Sequence, residues 1–151
     1  MDAYKTPTSD LHVEFPKEHK PITGILIGLF FVVIVMNITS TLLAIIFGAL
    51  LGADFTVESW TALLATNNAY LLTDLSISAI VCFYAGRAVG KRTPKKEIYF
   101  GVILAIINIA IYIPIFIYTD AFTTYPSWYN ALSFIVNFSI IPLGARSAAN
   151  T

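Results

Sequence analysis

Polar residues inside long apolar runs are the positions at which this sequence offers chemistry. Four stand out: Asn37, Asp74, Asn108 and Asn137. An amide or carboxyl group that leaves water for apolar surroundings costs free energy unless it gains a hydrogen-bond partner. At ~1.5 Å of helical rise per residue, the three asparagines lie near the middle of a ~30 Å hydrocarbon layer, and Asp74 lies about 8 Å below its surface. We therefore expect these residues to bond to one another or to a solute.

Each of these residues allows a structural and a functional interpretation. For the asparagines the structural one is favoured, because interhelical amide hydrogen bonds of ~0.6–2 kcal/mol commonly fix helix register in membranes. Asp74 leaves both open. An intramembrane acid is a functional candidate by default, whereas hydrogen bonds to Thr73, Ser76 or Ser78 near the surface would make it structural.

Helical spacing places small or hydroxyl residues on the same face as each polar residue. Thr41 follows Asn37 by four positions, and Ser78 follows Asp74 by four. Residues at this spacing share one helix face, and small residues on such a face let neighbouring helices approach closely. The polar faces are thus predicted to meet in the centre of a bundle. The candidate intramembrane polar cluster is Asn37, Thr41, Asp74, Ser78, Asn108 and Asn137.

The composition indicates that lipid surrounds these segments. Hydrophobic residues make up 57% of the chain and charged residues 12%, with a mean hydropathy of +0.76. A soluble domain typically carries about 25% charged residues. Apolar segments long enough to cross a bilayer run over about 22–51, 69–88, 98–118 and 128–143. The predicted fold is all-α, a membrane bundle of four transmembrane helices over residues 22–146, with a polar tail (1–21) and a short second tail (147–151).

The distribution of basic residues predicts the orientation. The segments 52–68 and 119–127 contain no Lys or Arg, although they contain acids. With four crossings, all nine bases fall on one side, which the positive-inside rule assigns to the cytoplasm. Both termini are therefore expected in the cytoplasm. Five of the nine bases belong to the segment between the second and third apolar runs: Arg87, Lys91, Arg92, Lys95 and Lys96.

These five bases form a candidate headgroup-binding loop. Their simplest role is to keep the loop on the cytoplasmic side of the membrane. Attraction to anionic lipid headgroups, ~1 kcal/mol per base, is the functional alternative. The bilayer is thus the predicted partner. Glycine pairs four residues apart, such as Gly24 and Gly28, leave a homo-oligomer or a membrane-protein partner open, although packing within the chain is the commoner use of such pairs.

The two base-free segments suggest structure at the membrane surface. Residues 55–66 fit a short surface helix with Trp60 at headgroup depth, and a plain loop is the alternative. An aromatic belt at the membrane–water interface is predicted around the second segment. Its members are Tyr118, Tyr125, Trp128 and Tyr129.

Residue types that support enzymatic chemistry are scarce. Cys82 is the one cysteine, and both histidines, His12 and His19, precede the first apolar segment. Axial haem ligands in the bundle, a zinc motif and a Ser-His-Asp set within the membrane are therefore excluded. We expect no enzyme, no cofactor, no metal and no nucleic-acid partner.

Two short motifs carry a family resemblance. Tyr4-Lys-Thr-Pro7-Thr-Ser9-Asp10-Leu11 resembles the Y-x-x-P-x-[SA]-[DE]-[LV] prefix of many small four-helix bacterial inner-membrane proteins of uncharacterised function, and Pro142-Leu-Gly-Ala-Arg146 is similar to their last helix. The resemblance implies a bacterial inner membrane and no activity. The favoured interpretation is a non-catalytic accessory, assembly or interaction component. The alternative is a small-solute or ion transporter that uses Asp74 and the midplane asparagines.

Overall fold

The computed structural model describes residues 19–52 and 57–150, and regular structure in these ranges is helical throughout. The tail predicted for residues 1–18 lies outside the described residues. The helices are α1 (Pro21–Leu50), α2 (Val57–Thr66), α3 (Asn68–Gly90), α4 (Glu97–Tyr118), α5 (Ala121–Thr124) and α6 (Ser127–Ser147), and a 3₁₀ turn (Ala148–Asn150) follows.

Four of these helices, α1, α3, α4 and α6, are long and apolar enough to cross a membrane. At ~1.5 Å per residue they measure about 32–45 Å, against ~30 Å of hydrocarbon. The prediction of an all-α bundle with four such helices is confirmed.

The two ends of the bundle differ in charge. One end carries the bases and is called the base-rich end here. Helix α1 begins there at Pro21, α3 ends there at Gly90, and α4 begins there at Glu97. At this end the backbone N–H of Lys20 donates to the carbonyl of Arg92 at 2.8 Å. The opposite, base-free end holds Leu51, Gly52, α2 and the connection 119–126, and the sequence has no Lys or Arg from 51 to 67 or from 119 to 126. Described residues near both termini therefore lie at the base-rich end.

Helix α6 extends beyond the end predicted at Leu143. It contains Pro142 and continues to Ser147. A proline removes its own N–H and crowds the preceding turn, so it does not prevent the following residues from being helical. Ala145 and Ala148 pack against Gly90 of α3, so the chain stays in contact with the bundle beyond the predicted end of the helix.

The closest helix contact lies between α3 and α6, in the base-rich half. A Cβ added to Gly86 would overlap the carbonyl oxygen of Ile141, and one added to Gly144 would overlap that of Phe83. The two backbones thus touch because neither glycine has a side chain. Gly86 and Gly90 pack within the chain here, as the more common interpretation of such pairs predicts.

An apolar core fills the base-rich half around this contact. All of its members are fully buried: Val32, Cys82, Ala85, Val89, Leu104, Ala105 and Ile141. Cys82 is inside this core, as its apolar sequence neighbours predict. The base-rich half of the bundle is therefore closed by close packing.

Helix α1 contacts different neighbours along its length. Its first half packs against α3 and α4, whereas its second half packs against α3 and α2. The halves are joined by a π-helical turn over Phe30–Val35. Of the two alternatives for residues 55–66, a surface helix or a plain loop, residues 57–66 form a helix, α2, and residues 55 and 56 lie outside the described residues. Leu64 of α2 is buried with Leu43 and Leu71.

Candidate functional site

Helix α3 carries the acid at the centre of the candidate site. Its start is set by Asn67, whose side-chain oxygen accepts a hydrogen bond from the Tyr70 N–H at 3.0 Å and so caps the helix. From that start, Tyr70, Asp74 and Ser78 follow at intervals of four and lie on one buried face. Asp74 is 6% exposed.

Two hydroxyl groups from other helices donate to the Asp74 carboxylate. Ser40 Oγ of α1 lies 2.7 Å from Oδ1, and the Tyr129 hydroxyl of α6 lies 2.6 Å from Oδ2. The neighbours expected from the sequence bond elsewhere: Thr73 and Ser76 donate to carbonyls of their own helix. Asp74 thus joins three helices instead of bonding within α3.

The midplane asparagines of α4 and α6 bond to each other. Asn108 Nδ2 donates to Asn137 Oδ1 at 2.9 Å, and Cys82 Sγ donates to the same oxygen at 3.2 Å. Asn137 Nδ2 donates to the Ser133 carbonyl at 2.8 Å. Asn108 is fully buried, and its Oδ1 has no hydrogen-bond partner among the described residues. A buried acceptor without a donor is rare, and a ligand or water commonly supplies the missing hydrogen bond.

Asn37 and Tyr112 connect α1 to α4. Asn37 Nδ2 donates to the Val33 carbonyl at 2.6 Å and to the Tyr112 hydroxyl at 3.2 Å. The Tyr112 hydroxyl in turn donates to the Val32 carbonyl at 2.9 Å. Val32 and Val33 belong to the π turn of α1. Irregular turns of this kind are frequent at functional sites.

These polar groups surround one cavity of about 260 Å³. This volume is slightly below the range of ~300–1,000 Å³ typical of small-molecule sites. All four long helices contribute to its wall, and so does the α5–α6 connection. The lining residues are Met36, Asn37, Ser40, Tyr70, Asp74, Ser78, Asn108, Ile109, Tyr112, Ile115, Phe116, Thr119, Ala121, Tyr125, Tyr129, Ser133, Phe134 and Asn137.

The cavity occupies the base-free half of the bundle. Its lining on α3 ends at Ser78, and its lining on α4 begins at Asn108, the middle of each helix. The exposed lining residues Asn37, Ile115 and Thr119 mark its mouth, between α1 and α4. The apolar core closes the opposite half. The space is therefore closed toward the base-rich end, and its exposed lining lies between α1 and α4.

One of the predicted site residues lies outside the cavity. Thr41 is exposed and does not line it, whereas Ser40, one position earlier, faces Asp74. Neighbouring helical positions differ by about 100° in direction, so a choice between spacings of three and four from Asn37 decides which residue faces inward. The prediction for Thr41 was wrong. The other five candidates, including Ser78, are brought together.

Four tyrosines in the wall were not among the predicted site residues. Tyr125 and Tyr129 were expected in the aromatic belt, but their rings lie 5.3 Å apart beside the cavity. Burial, and then the charge of Asp74, raise the pKa of the Tyr125 phenol above its ordinary value. The sequence signal for Tyr129 is its spacing, because Ser133 and Asn137 follow it at intervals of four. Tyr70 and Tyr112 are the other two.

The predicted headgroup-binding residues lie at the base-rich end, away from the cavity. Lys91, Lys95 and Lys96 are exposed, and Arg87 and Arg92 are half-buried. Arg92 donates to the carbonyl of Ala88 in α3 at 2.9 Å. The loop is held further by Thr93, which is fully buried and donates to the Val89 carbonyl. Headgroup binding by these bases stays a prediction.

Comparison of the chain with protein-family models, with curated proteins and with solved structures finds no match. Functional assignment therefore depends on the cavity itself.

Proposed function

We propose that the chain is a small-solute transporter of a bacterial inner membrane and that its cavity holds the solute. The observation that supports this most directly is the cavity of about 260 Å³ that joins Asp74 to Asn37, Asn108 and Asn137. If these polar residues served only to fix helix register, they would be expected to pack without free space between them, because cavities lower stability. The proposal includes no catalysis and no cofactor.

The proposed orientation places the base-rich end in the cytoplasm. Its support is the positive-inside rule together with two connections that contain no base. With this orientation the cavity lies in the outer half of the membrane. The apolar core lies between the cavity and the proposed cytoplasmic end and would have to open for the solute to pass.

An accessory role remains the second candidate. It is favoured by α1, which buries the smallest share of its residues of the four long helices. An apolar ridge along this helix is exposed: Ile22, Leu26, Phe30, Ile34, Ile38, Leu42, Ile45 and Leu50. Lipid covers such a ridge equally well, so it supports a helical partner less directly than the cavity supports a solute.

Uptake by purified protein in proteoliposomes tests the transport proposal. Vesicles are incubated with a mixture of small amines, sugars, amides and carboxylic acids, and their contents are identified by mass spectrometry. We expect at least one class of solute to enter faster than it enters protein-free vesicles. Entry equal to that of protein-free vesicles for every class would contradict transport. Recovery of a stoichiometric protein partner in mild detergent, without uptake, would support the accessory role.

A further inference from the structure

The chemistry of the cavity wall also specifies a class of solute, if the cavity is a solute site as proposed above. We propose that the cavity binds a small primary organic ammonium ion, with its charged nitrogen at Asp74 and its carbon chain among the aromatic rings.

Charge is the first reason. Among the described residues that line the cavity, Asp74 is the one acid and none is basic. The sequence contains no Lys or Arg from residue 21 to 86 or from 97 to 145, so no helix supplies a cation at this depth. A buried carboxylate is costly unless a cation or several hydrogen-bond donors accompany it. A positively charged solute would complete the pairing.

Unused hydrogen-bonding capacity is the second reason. An ionised carboxylate has about four lone-pair positions. Ser40 and Tyr129 occupy one on each oxygen of Asp74. The remaining positions can accept N–H groups, and a primary ammonium ion donates three. The Asp74 carboxylate can therefore accept further hydrogen bonds from a donor on the solute, and it needs no acceptor there.

The aromatic rings distinguish an organic from an inorganic cation. Tyr70, Tyr125 and Tyr129 surround the acid, and Phe116 and Phe134 line the same cavity with their ring centres 5.7 Å apart. Ring faces attract ammonium groups and pack against alkyl chains. Hard inorganic cations are instead held by about six oxygen ligands. The wall thus resembles an amine site more than a metal-ion site.

Asn108 indicates what the other end of the solute carries. The residue lines the cavity, and its Oδ1 is buried and has no donor among the described residues. Helical rise places Asp74 about 9 Å from the start of α3 and Asn108 about 15 Å from the end of α4, so the two are about 6 Å apart along the bundle. A solute with an ammonium group at one end and a neutral hydrogen-bond donor at the other would satisfy both.

Binding of four probes to the purified protein in nanodiscs tests this inference. The probes are n-butylammonium, 4-amino-1-butanol, 1-butanol and butyrate, with sodium chloride as the inorganic control, and calorimetry measures the dissociation constants. We expect the two amines to bind and the neutral and anionic analogues not to bind. The hydroxyl of 4-amino-1-butanol should strengthen binding over n-butylammonium by about two- to tenfold, the usual worth of one hydrogen bond.

Two variants test whether the ammonium group contacts Asp74 and the hydroxyl contacts Asn108. Asp74→Asn should weaken both amines about thirtyfold or more, because it removes the charge partner. In Asn108→Leu the hydroxyl of 4-amino-1-butanol should lose its advantage, so that the two amines bind with equal affinity. If Asp74→Asn does not fold, Tyr129→Phe replaces it, with a smaller loss expected for both amines. Thr41→Ala, on the exposed side of α1, is the matched control.

The outcomes separate this inference from the transport proposal. Failure of the amines to bind, equal binding to Asp74→Asn, or saturable binding of sodium, 1-butanol or butyrate instead would overturn the ammonium site. Uptake of a neutral or anionic solute with no amine binding would support the transport proposal and contradict the ammonium site. Amine binding without uptake of any solute would support the site and contradict transport.

Discussion

Asp74→Asn is expected to reduce solute counterflow to the rate of protein-free vesicles while the protein stays folded. Ser40 and Tyr129 donate to Asp74 through hydroxyl groups, and a hydroxyl can also accept. Both can therefore turn to bond with the asparagine amide, so the links between α1, α3 and α6 persist. The variant loses the negative charge and exchanges one acceptor oxygen for an NH2 donor. Counterflow is measured with the solutes recovered by the uptake screen, and n-butylammonium is the first probe.

The matched control is Asp120→Asn, which removes a second acid at the base-free end. Asp120 is exposed and does not line the cavity. Its φ of 52° lies in the left-handed region, which asparagine also tolerates. Counterflow by this variant should equal that of the wild type. Undiminished counterflow by Asp74→Asn, with the melting temperature unchanged, would show that transport does not use this carboxylate.

Gly144→Leu is expected to prevent the bundle from folding. Even a Cβ at this position would overlap the carbonyl of Phe83 in α3. Overpacking of a well-packed interior typically costs ~1–3 kcal/mol, and a whole leucine side chain between two touching backbones exceeds that range. The helices α3 and α6 would have to separate. Size-exclusion chromatography and thermal unfolding in detergent report the loss of folded protein.

Ser139→Leu adds the same side chain to the same helix on its exposed face. Because lipid accommodates a leucine, this variant should elute and unfold like the wild type. Equal behaviour of the two leucine variants would mean that α3 and α6 do not touch at Gly144.

Much of the fold is predictable from the sequence because two independent signals agree. Apolar length gives four segments, and the absence of Lys and Arg from 52–68 and 119–127 is what the positive-inside rule predicts for two connections on one side of a membrane. The end of α6 was less predictable. Pro142 and Gly144 have the types that terminate helices in water, but here Gly144 faces the backbone of α3 and the helix continues to Ser147.

The sequence predicts which polar residues line the cavity better than it predicts which residues they contact. Asp74 and the midplane asparagines stand out because polar groups are costly in lipid. Which residues meet them depends on helix rotation, and the apolar pattern constrains rotation weakly when lipid surrounds most of a helix. Ser40 therefore occupies the place predicted for Thr41.

The four tyrosines of the cavity wall were less predictable from the sequence than the position of Ser40. A tyrosine near the end of a membrane helix fits the interfacial belt as well as it fits an interior contact. Tyr118 is 91% exposed, whereas Tyr129, near the start of the next long helix, donates to Asp74. Sequence position does not separate the two cases, because the difference lies in which direction each residue faces.

Whether water reaches the polar cluster is tested most directly by labelling a single cysteine at Ser133, which lines the cavity. The background is Cys82→Ser, which keeps a donor for Asn137. The matched position is Ser139→Cys, on the lipid-facing side of the same helix. The reagent is a membrane-impermeant trimethylammonium thiosulfonate, applied to intact cells or to inverted vesicles.

We expect Ser133→Cys to react from the outside much faster than Ser139→Cys, and n-butylammonium to slow that reaction. A thiol in dry surroundings does not ionise and does not react. If Ser133→Cys is as unreactive as Ser139→Cys, the polar residues are dry packing and the cavity is not a solute site.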